Sequence, residues 1–437
     1  MKKVAGQVLS VLLASCLLVL CHLGGAVAAA PDTPELARTA PYQAGVRTLT
    51  LVPPKGETPL PGGMARSRTL AVTLWYPAAP DARGHRAVYR GALPSMPPAP
   101  PARFSIAGDA IANAAPARGM WPLVILSHGY SNVPAAMSWL GEGLAARGYV
   151  VAAIDHDDPP ITDLSKIGQL LLYRPLDIAF AARALRARAA QGGLDGADTR
   201  RVALLGYSMG GYGVLTAGGA RLAPEGLALK MTPPGALASF QDGSATIANL
   251  RAIVAISPAG EAPVMNVWGT NGLEGVKAPL FLSVGDQDRT VGYCGSVARI
   301  FEQTRGTDRI MLVFANAGHG IGLGPTPADM RGSLWNYDWF EDPVWRRDRL
   351  LPIQLHFITA FLDRYVKGDV DRDAYLHPAL VRSNDGTWNA PPGTPYDAPS
   401  PGGAGVTLWK GFARNHAIGM SLYGAAAGQA DQPCGTK

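Results

Sequence analysis

One stretch limits the fold of this 437-residue chain more than any other. Residues 200–215 read Arg-Arg-Val-Ala-Leu-Leu-Gly-Tyr-Ser-Met-Gly-Gly-Tyr-Gly-Val-Leu. The apolar run 202–205 has the length and composition of a short buried strand, and Gly206 ends it. After Ser208 the small residues continue as a helix to about residue 220. A strand that turns into a helix within three residues holds the intervening serine at the carboxyl edge of a sheet. Side chains at 206 and 210 would collide with the neighbouring strand and helix, so both positions are glycine. Ser208 itself must adopt a strained backbone, and the following helix aims the Met209 amide and its dipole at any negative charge forming there.

The surrounding chain supplies the sheet that such a turn needs. Segments 45–52 and 68–77 read as strands, the second stopped by Pro77, and they can pair antiparallel at the start of the sheet. The runs 123–127, 149–154, 251–256, 279–284 and 310–314 are predominantly apolar, as in strands buried on both faces. Helices are expected from Pro134 to Arg147, from about 176 to 189, and from 353 to 365. In the last of these, Ile353, Phe357, Ile358, Phe361, Leu362 and Tyr365 form a core-facing stripe, with His356 off it and solvated. Strand and helix alternate, so the expected class is α/β: a mostly parallel, doubly wound sheet with helices on both faces and an antiparallel N-terminal start.

The same reading divides the chain into a leader at 1–28, a catalytic domain at 29–385 and a Pro/Gly-rich C-terminal extension at 386–437, organised only at 406–422. Segment 78–118, rich in Pro, Ala and Gly, reads as a lid, a linker or a disordered insert, and 221–244 as a cap inserted over the site. The leader combines Lys2 and Lys3, an apolar run from 8 to 20, and Ala26-Val27-Ala28 before the cut. A lipoprotein cut before Cys16 is the alternative, and it would truncate the apolar run. An exported protein, periplasmic or secreted, follows, with no membrane span left after cleavage. Without Lys2 and Lys3, 37 basic residues face 33 acidic ones, a balance of +4 with no basic tract, which gives a nucleic-acid partner no support. Cys294 and Cys434 remain, either as one disulfide or as two unrelated thiols.

A serine hydroxyl is a weak nucleophile until a base takes its proton, and the base needs a third group to orient it. Past the strand at 279–284 come Gly285-Asp286-Gln287-Asp288, and past the strand at 310–314 come Gly318-His319-Gly320. His319 is therefore the candidate base. Asp288 is the candidate acid ahead of Asp286, which is close enough to cap its own turn, and of Glu261. The amides of Met209 and Tyr130 are the candidate oxyanion donors, while His128 is read as a structural residue bonding backbone. Tyr130, Trp268 and Tyr212 are candidate substrate-lining side chains. Asp155, His156, Asp157 and Asp158 are consecutive and cannot all converge on one ion. They are read as a polar loop partnered by Arg174, and no metal site is assigned.

Four segments in this order carry a family resemblance: Leu74-Trp75-Tyr76-Pro77, Leu126-Ser127-His128-Gly129, Gly206-Tyr207-Ser208-Met209-Gly210-Gly211 and Gly285-Asp286-Gln287-Asp288. Together they resemble the platelet-activating-factor acetylhydrolase type II-like and predicted dienelactone hydrolase branch of the α/β-hydrolases. The elbow at Ser208 also resembles that of bacterial cutinase-type polyester hydrolases. The resemblance covers roughly residues 46–366. It implies Ser208 as nucleophile, Asp288 as acid, His319 as base, the Tyr130 and Met209 amides as oxyanion hole, and no metal or organic cofactor. True dienelactone hydrolases carry cysteine where this chain has Ser208, and the loop at 320–347 is long. The expectation is an exported serine esterase for carboxylic esters with short acyl groups. Polyester or lipid esters are the alternative within the same chemistry, and a peptidase is a weaker one. A non-catalytic envelope protein using the scaffold to bind is the rival of another class.

Overall fold

The computed structural model describes residues 30–434 apart from 162, 195, 242 and 262–264, so the leader expected at 1–28 and its Cys16 alternative lie outside the described residues. Eleven strands form one sheet: β1 (Ala44–Leu51), β2 (Leu70–Pro77), β3 (Arg86–Leu93), β4 (Ala102–Ala112), β5 (Trp121–Ser127), β6 (Val150–Asp155), β7 (Ala197–Tyr207), β8 (Ala252–Ile256), β9 (Leu280–Gly285), β10 (Arg309–Phe314) and β11 (Met420–Ala425). Their spatial order is β11-β10-β9-β8-β7-β5-β6-β2-β1-β4-β3. The six strands from β10 to β6 are mutually parallel, while β2 and β11 flank them antiparallel. β1 and β2 pair antiparallel along their whole length.

Helices cover both faces. The ones that matter here are α1 (Ser138–Ala145), α2 (Ile167–Ala190), α3 (Met209–Ala217), α4 (Leu334–Asp338) and α5 (Arg347–Leu362). One core packs α2 and α3 against the sheet, and a second packs α1 and α5 on the other side. From β5 the chain passes to β6 on one side and then to β7 on the other. The carboxyl ends of β5 and β7 therefore meet at a switch in strand order, where open α/β sheets form a crevice. Register pairs Ser127 with Gly206 there.

Four expectations need correction. Segment 78–118 is neither lid nor disordered, for its centre is β3 and β4, which extend the sheet beyond β1. The prolines of the segment all lie outside these strands, whereas Tyr89 is a buried anchor that accepts from Trp75 Nε1 at 2.7 Å and donates to Glu142 Oε1 at 2.5 Å. Segment 221–244 folds as turns with a short helix, Ala236–Phe240, and none of its described residues lines the crevice. The boundary at 385/386 is no structural boundary: β11 closes the sheet on β10, and Trp409 and Phe412 pack their rings on Phe357 of α5. Aromatic anchors spaced among Pro and Gly leave little periodicity for a sequence reading to detect.

His356 is the fourth. It is buried rather than solvated, accepts the Leu36 N–H at Nδ1 (3.2 Å), and meets Tyr375, Phe357 and Phe412 edge-on. Burial, helped by Arg147 and Arg372, holds its imidazole down at about 3. α2 also starts nine residues earlier than expected and runs through Pro175, because Leu170, Leu171 and Leu172 are buried there. Proline has no N–H for the carbonyl four residues back. That carbonyl, Leu171 O, accepts instead from the Tyr212 hydroxyl at 2.6 Å.

Cys294 and Cys434 form a disulfide across 140 residues, tying the chain beyond β11 to the segment that follows β9. A link closing so long a loop restricts the unfolded chain, typically by about 2–4 kcal/mol. Cys434→Ser should lower unfolding stability by about that amount in urea titration and abolish the effect of added reductant. An unchanged midpoint in both experiments would mean that β11 pairing alone secures the C-terminus.

Candidate active site

Ser208 stands between β7 and α3 at φ 53°, ψ −116°, a left-handed backbone that a serine adopts only under constraint. The constraint is backbone on backbone. A Cβ at Gly206 would lie 2.2 Å from Gly210 O, and one at Gly210 would lie 2.0 Å from Ser127 O. The Ser208 N–H donates to Ile256 O at 2.9 Å, anchoring the turn to β8. The side chain makes no cap bond to its own helix. Its hydroxyl faces His319 instead, with Nε2 3.0 Å away.

His319 Nδ1 lies 2.8 Å from Asp288 Oδ2. With the Nδ1 proton given to the carboxylate, Nε2 is left with a lone pair toward the serine hydroxyl. The other oxygen of Asp288 accepts the amides of Thr290 and Val291, both at 3.0 Å, which fixes the carboxylate plane. Burial pushes the Asp288 carboxyl up. The hydrogen bond and charge of His319 and the Val291 amide outweigh it and hold the group below its usual value. Asp286 does not reach the histidine. It accepts the Asn316 amide at 2.7 Å and ties the β9 turn to the loop carrying His319. Glu261 is elsewhere, fully buried with the Arg299 guanidinium 3.8 Å away and no hydrogen bond to either oxygen among the described residues.

The loop that presents His319 has supports that the sequence reading missed. Tyr207 donates its hydroxyl to His319 O at 3.0 Å and lays its ring beside the imidazole, centroids 5.2 Å apart. Asp342 accepts the Gly318 amide at 2.7 Å. Arg347 Nη1 donates to Gly320 O at 2.9 Å, and Gln354 Nε2 to Ile321 O at 2.6 Å. Only Tyr207 had a usable signal, since it is the variable residue inside the Gly-Xaa-Ser-Xaa-Gly turn. The others sit in the long loop after His319 and on α5, where nothing local marks them.

Ser208 and His319 border a cleft of about 690 Å³, walled by Ile161, Met265, Val291, Trp335 and Trp339. Gly129, Tyr130, Ser208, Met209 and His319 lie along it. Neither the Tyr130 nor the Met209 N–H has a hydrogen-bond acceptor among the described residues. Tyr130 also anchors its loop by donating to Pro160 O at 3.1 Å. Trp268 and Tyr212 are a correction: both are buried in the core and absent from the cleft wall. They stack at 5.6 Å, Trp268 Nε1 donates to Thr216 Oγ1, and the Tyr212 hydroxyl is occupied by the carbonyl that Pro175 leaves free. Aromatic residues beside an elbow fill the space under α3 as readily as they face substrate.

The acidic run after β6 diverges. Asp158 pairs with Arg174 and His156 turns inward to Asp177, while Asp155 is half-exposed. No helix among the described residues is long and apolar enough to cross a membrane.

Residues 107–242 match the PETase family model, described as PET hydrolase-like. Among curated proteins, a 114-residue stretch is 35% identical to Cutinase 2 of Thermobifida cellulosilytica, covering 25% of this chain and 37% of that protein. It is equally similar to Cutinase cut1 of Thermobifida fusca, covering 31% of it, and 34% identical to Cutinase est2 of Thermobifida alba, covering 33%. The chain thus spans about a third of the length of the curated relatives it matches. With the sheet order above, these matches identify an α/β-hydrolase fold close to bacterial polyester hydrolases. They bear on the polyester-hydrolase side of the resemblance and not on the acetylhydrolase branch.

Burial, only partly offset by Arg299, pushes the Glu261 carboxyl up to about 7. The unfolded chain loses that proton near its usual value, so between about pH 4.5 and 7 the folded state binds the extra proton and stability falls as pH rises. Glu261→Gln should therefore raise Tm at pH 8 and leave it unchanged near pH 4.5. A variant that melts at the same temperature as the wild type at both pH values would show that the carboxyl ionises freely.

Proposed function

We propose that this chain is an exported serine hydrolase of carboxylic esters, with Ser208 as nucleophile, His319 as general base and acid, and Asp288 as the orienting carboxylate. The observation that carries the reading is the Ser208–His319–Asp288 string at 3.0 and 2.8 Å, opening on an apolar-walled cleft. Ser208 Oγ forms a bond to the ester carbonyl carbon as its proton passes to His319 Nε2. The carbonyl electron pair moves to oxygen, and the Tyr130 and Met209 amides stabilise that oxyanion. When the carbonyl re-forms, the alcohol leaves with the proton from His319, and Ser208 stays acylated. A water then gives its proton to His319, attacks the acyl carbon and releases the carboxylic acid and the free serine. Asp288 keeps the imidazole in the required tautomer and stabilises its charged form.

The substrates proposed are esters with short acyl groups. Polyesters are a second reading, favoured by the similarity to proteins named cutinases and to the PET hydrolase-like family. Export fits a chain whose sequence begins with a charged start, an apolar run and a small-residue signal, and whose two described cysteines are paired.

Wild type should turn over p-nitrophenyl acetate, and Ser208→Ala should lose at least about 10³-fold in kcat. Asp288→Asn should lose about 10³–10⁴-fold through the wrong histidine tautomer. Equal background rates in wild type and Ser208→Ala would end the enzyme reading in favour of a binding role. In a chain-length series, acetate and butyrate esters should exceed palmitate in kcat/KM. Release of soluble acid from a polyester film would instead support the second reading.

A further inference from the structure

Beneath the loop that follows β5 lies a second serine–histidine–aspartate string. Ser127 Oγ is 2.9 Å from His156 Nε2, and His156 Nδ1 is 2.9 Å from Asp177 Oδ2. All three are buried, so no substrate reaches this hydroxyl. Its polarity is set by neighbours. Arg174 Nη1 donates to Ser127 Oγ at 3.2 Å, which sends the hydroxyl proton to His156 Nε2. The His156 Nδ1–H then goes to Asp177, whose carboxylate also takes Nε and Nη2 of Arg68 at 3.1 and 2.5 Å. Burial first, and then Arg174 and Arg68, hold His156 well below its ordinary value, so it is neutral.

The centre of this network is Arg174, whose side chain is wholly buried. A guanidinium has five N–H donors in a rigid fork. Here all five meet an acceptor: Asp158 Oδ1 and Oδ2, Ser127 Oγ, and the carbonyl oxygens of His128 and Gly129, the last at 2.9 Å. His128 joins from the side. It accepts the His156 N–H at Nε2 (3.1 Å), which leaves its Nδ1–H for Gly129 O at 2.7 Å.

We propose that Arg174 is a positioning residue for the oxyanion hole: by gripping the His128 and Gly129 carbonyls from below, it aims the Tyr130 N–H into the cleft. The inference rests on the serine-hydrolase reading above. A trans peptide is planar and carries its C=O and N–H on opposite sides. Tying Gly129 O down to Arg174 and His128 therefore turns the N–H of the same peptide, that of Tyr130, the other way. That N–H has no acceptor among the described residues, and its loop runs beside the nucleophile, for a Cβ at Gly129 would lie 3.4 Å from Ser208 Cβ. An oxyanion donor contributes only if it is aligned before charge develops. Within the loop the Asn132 N–H also donates to Gly129 O at 3.3 Å, and the buried fork of Arg174 adds a shorter grip on that oxygen from outside the loop.

The test compares p-nitrophenyl acetate with its thionoacetate analogue, whose sulfur is a poor hydrogen-bond acceptor. Rates are taken per active site by fluorophosphonate titration, so that a fall in folded yield does not enter. Wild type should strongly favour the oxygen ester. Arg174→Lys keeps the charge beside Asp158 but cannot fork to both carbonyls. It and Arg174→Gln should lower kcat on the oxygen ester about 10–100-fold with KM within a few-fold, and cut the oxygen-to-sulfur ratio about tenfold. A purely structural residue would scale both esters together, so an unchanged ratio in the variants overturns the proposal. If neither variant yields titratable sites, Asp158→Asn, which frees only the carboxylate side of the fork, is read the same way: a lowered ratio supports the clamp and an unchanged one overturns it. A wild type that is neither labelled at Ser208 nor active on either ester fails the serine-hydrolase reading itself. An active wild type with a ratio near one fails only the oxyanion-hole inference.

Discussion

The turn at Ser208 depends on two strands and a helix being closer than any side chain permits. Gly206 and Gly210 touch backbone at distances no Cβ could occupy, and only that contact keeps a serine at φ 53°. Strain of this kind, about 1–3 kcal/mol, persists when the surroundings over-determine the backbone. Here the surroundings are β5 and β8 on either side of β7 and the apolar packing of α3 on α2. The same closeness sets the register between Ser127 and Gly206. The loop after β5 thereby lies next to the elbow, where Arg174 holds its His128 and Gly129 carbonyls.

The histidine reaches the serine by a different route. Its loop is suspended from four side chains on three elements: Tyr207 at the end of β7, Asp342 in the loop before α5, and Arg347 and Gln354 on α5 itself. Each engages main-chain atoms, so the loop's path rather than the imidazole itself is constrained. Asp288 then selects the ring orientation. Ser208 and His319 thus belong to differently built halves, one stiffened by strand packing and the other tethered by polar side chains. Ser283, on β9, extends the tether by donating to Gln354.

Features fixed by local backbone chemistry were legible in the sequence. The buried strands announce themselves as apolar runs, and the elbow is a strand, a glycine turn and a helix within a dozen residues. Asp288 and His319 stand a few residues past strand ends, and the structure brings them to Ser208. Long-range satisfaction was not legible. Tyr212 looked like a cleft residue because nothing nearby revealed that Pro175, on another helix, strands a carbonyl beside its hydroxyl. His356 looked solvated because its partner, the Leu36 amide, is 320 positions away. Segments 78–118 and 386–437 failed for a third reason: their prolines lie outside the strands, and composition averaged over each segment hid Tyr89, Trp409 and Phe412, which hold them to the core.

The chain contains the same three side-chain types twice at nearly the same spacing, and the contrast shows what makes such a string chemical. At Ser208 the hydroxyl borders a cleft, its histidine is partly exposed, and the Tyr130 and Met209 amides have no acceptor among the described residues. At Ser127 the hydroxyl is sealed from solvent, already accepts from Arg174, and its histidine is pressed toward the neutral state by burial and two guanidinium groups. A hydroxyl that no substrate reaches, paired with a histidine held toward its neutral form, transmits position rather than charge. What distinguishes the outer string from the inner one is therefore neither the residues nor the 3 Å contacts. It is whether the imidazole has somewhere to put a charge and the oxygen has somewhere to send one.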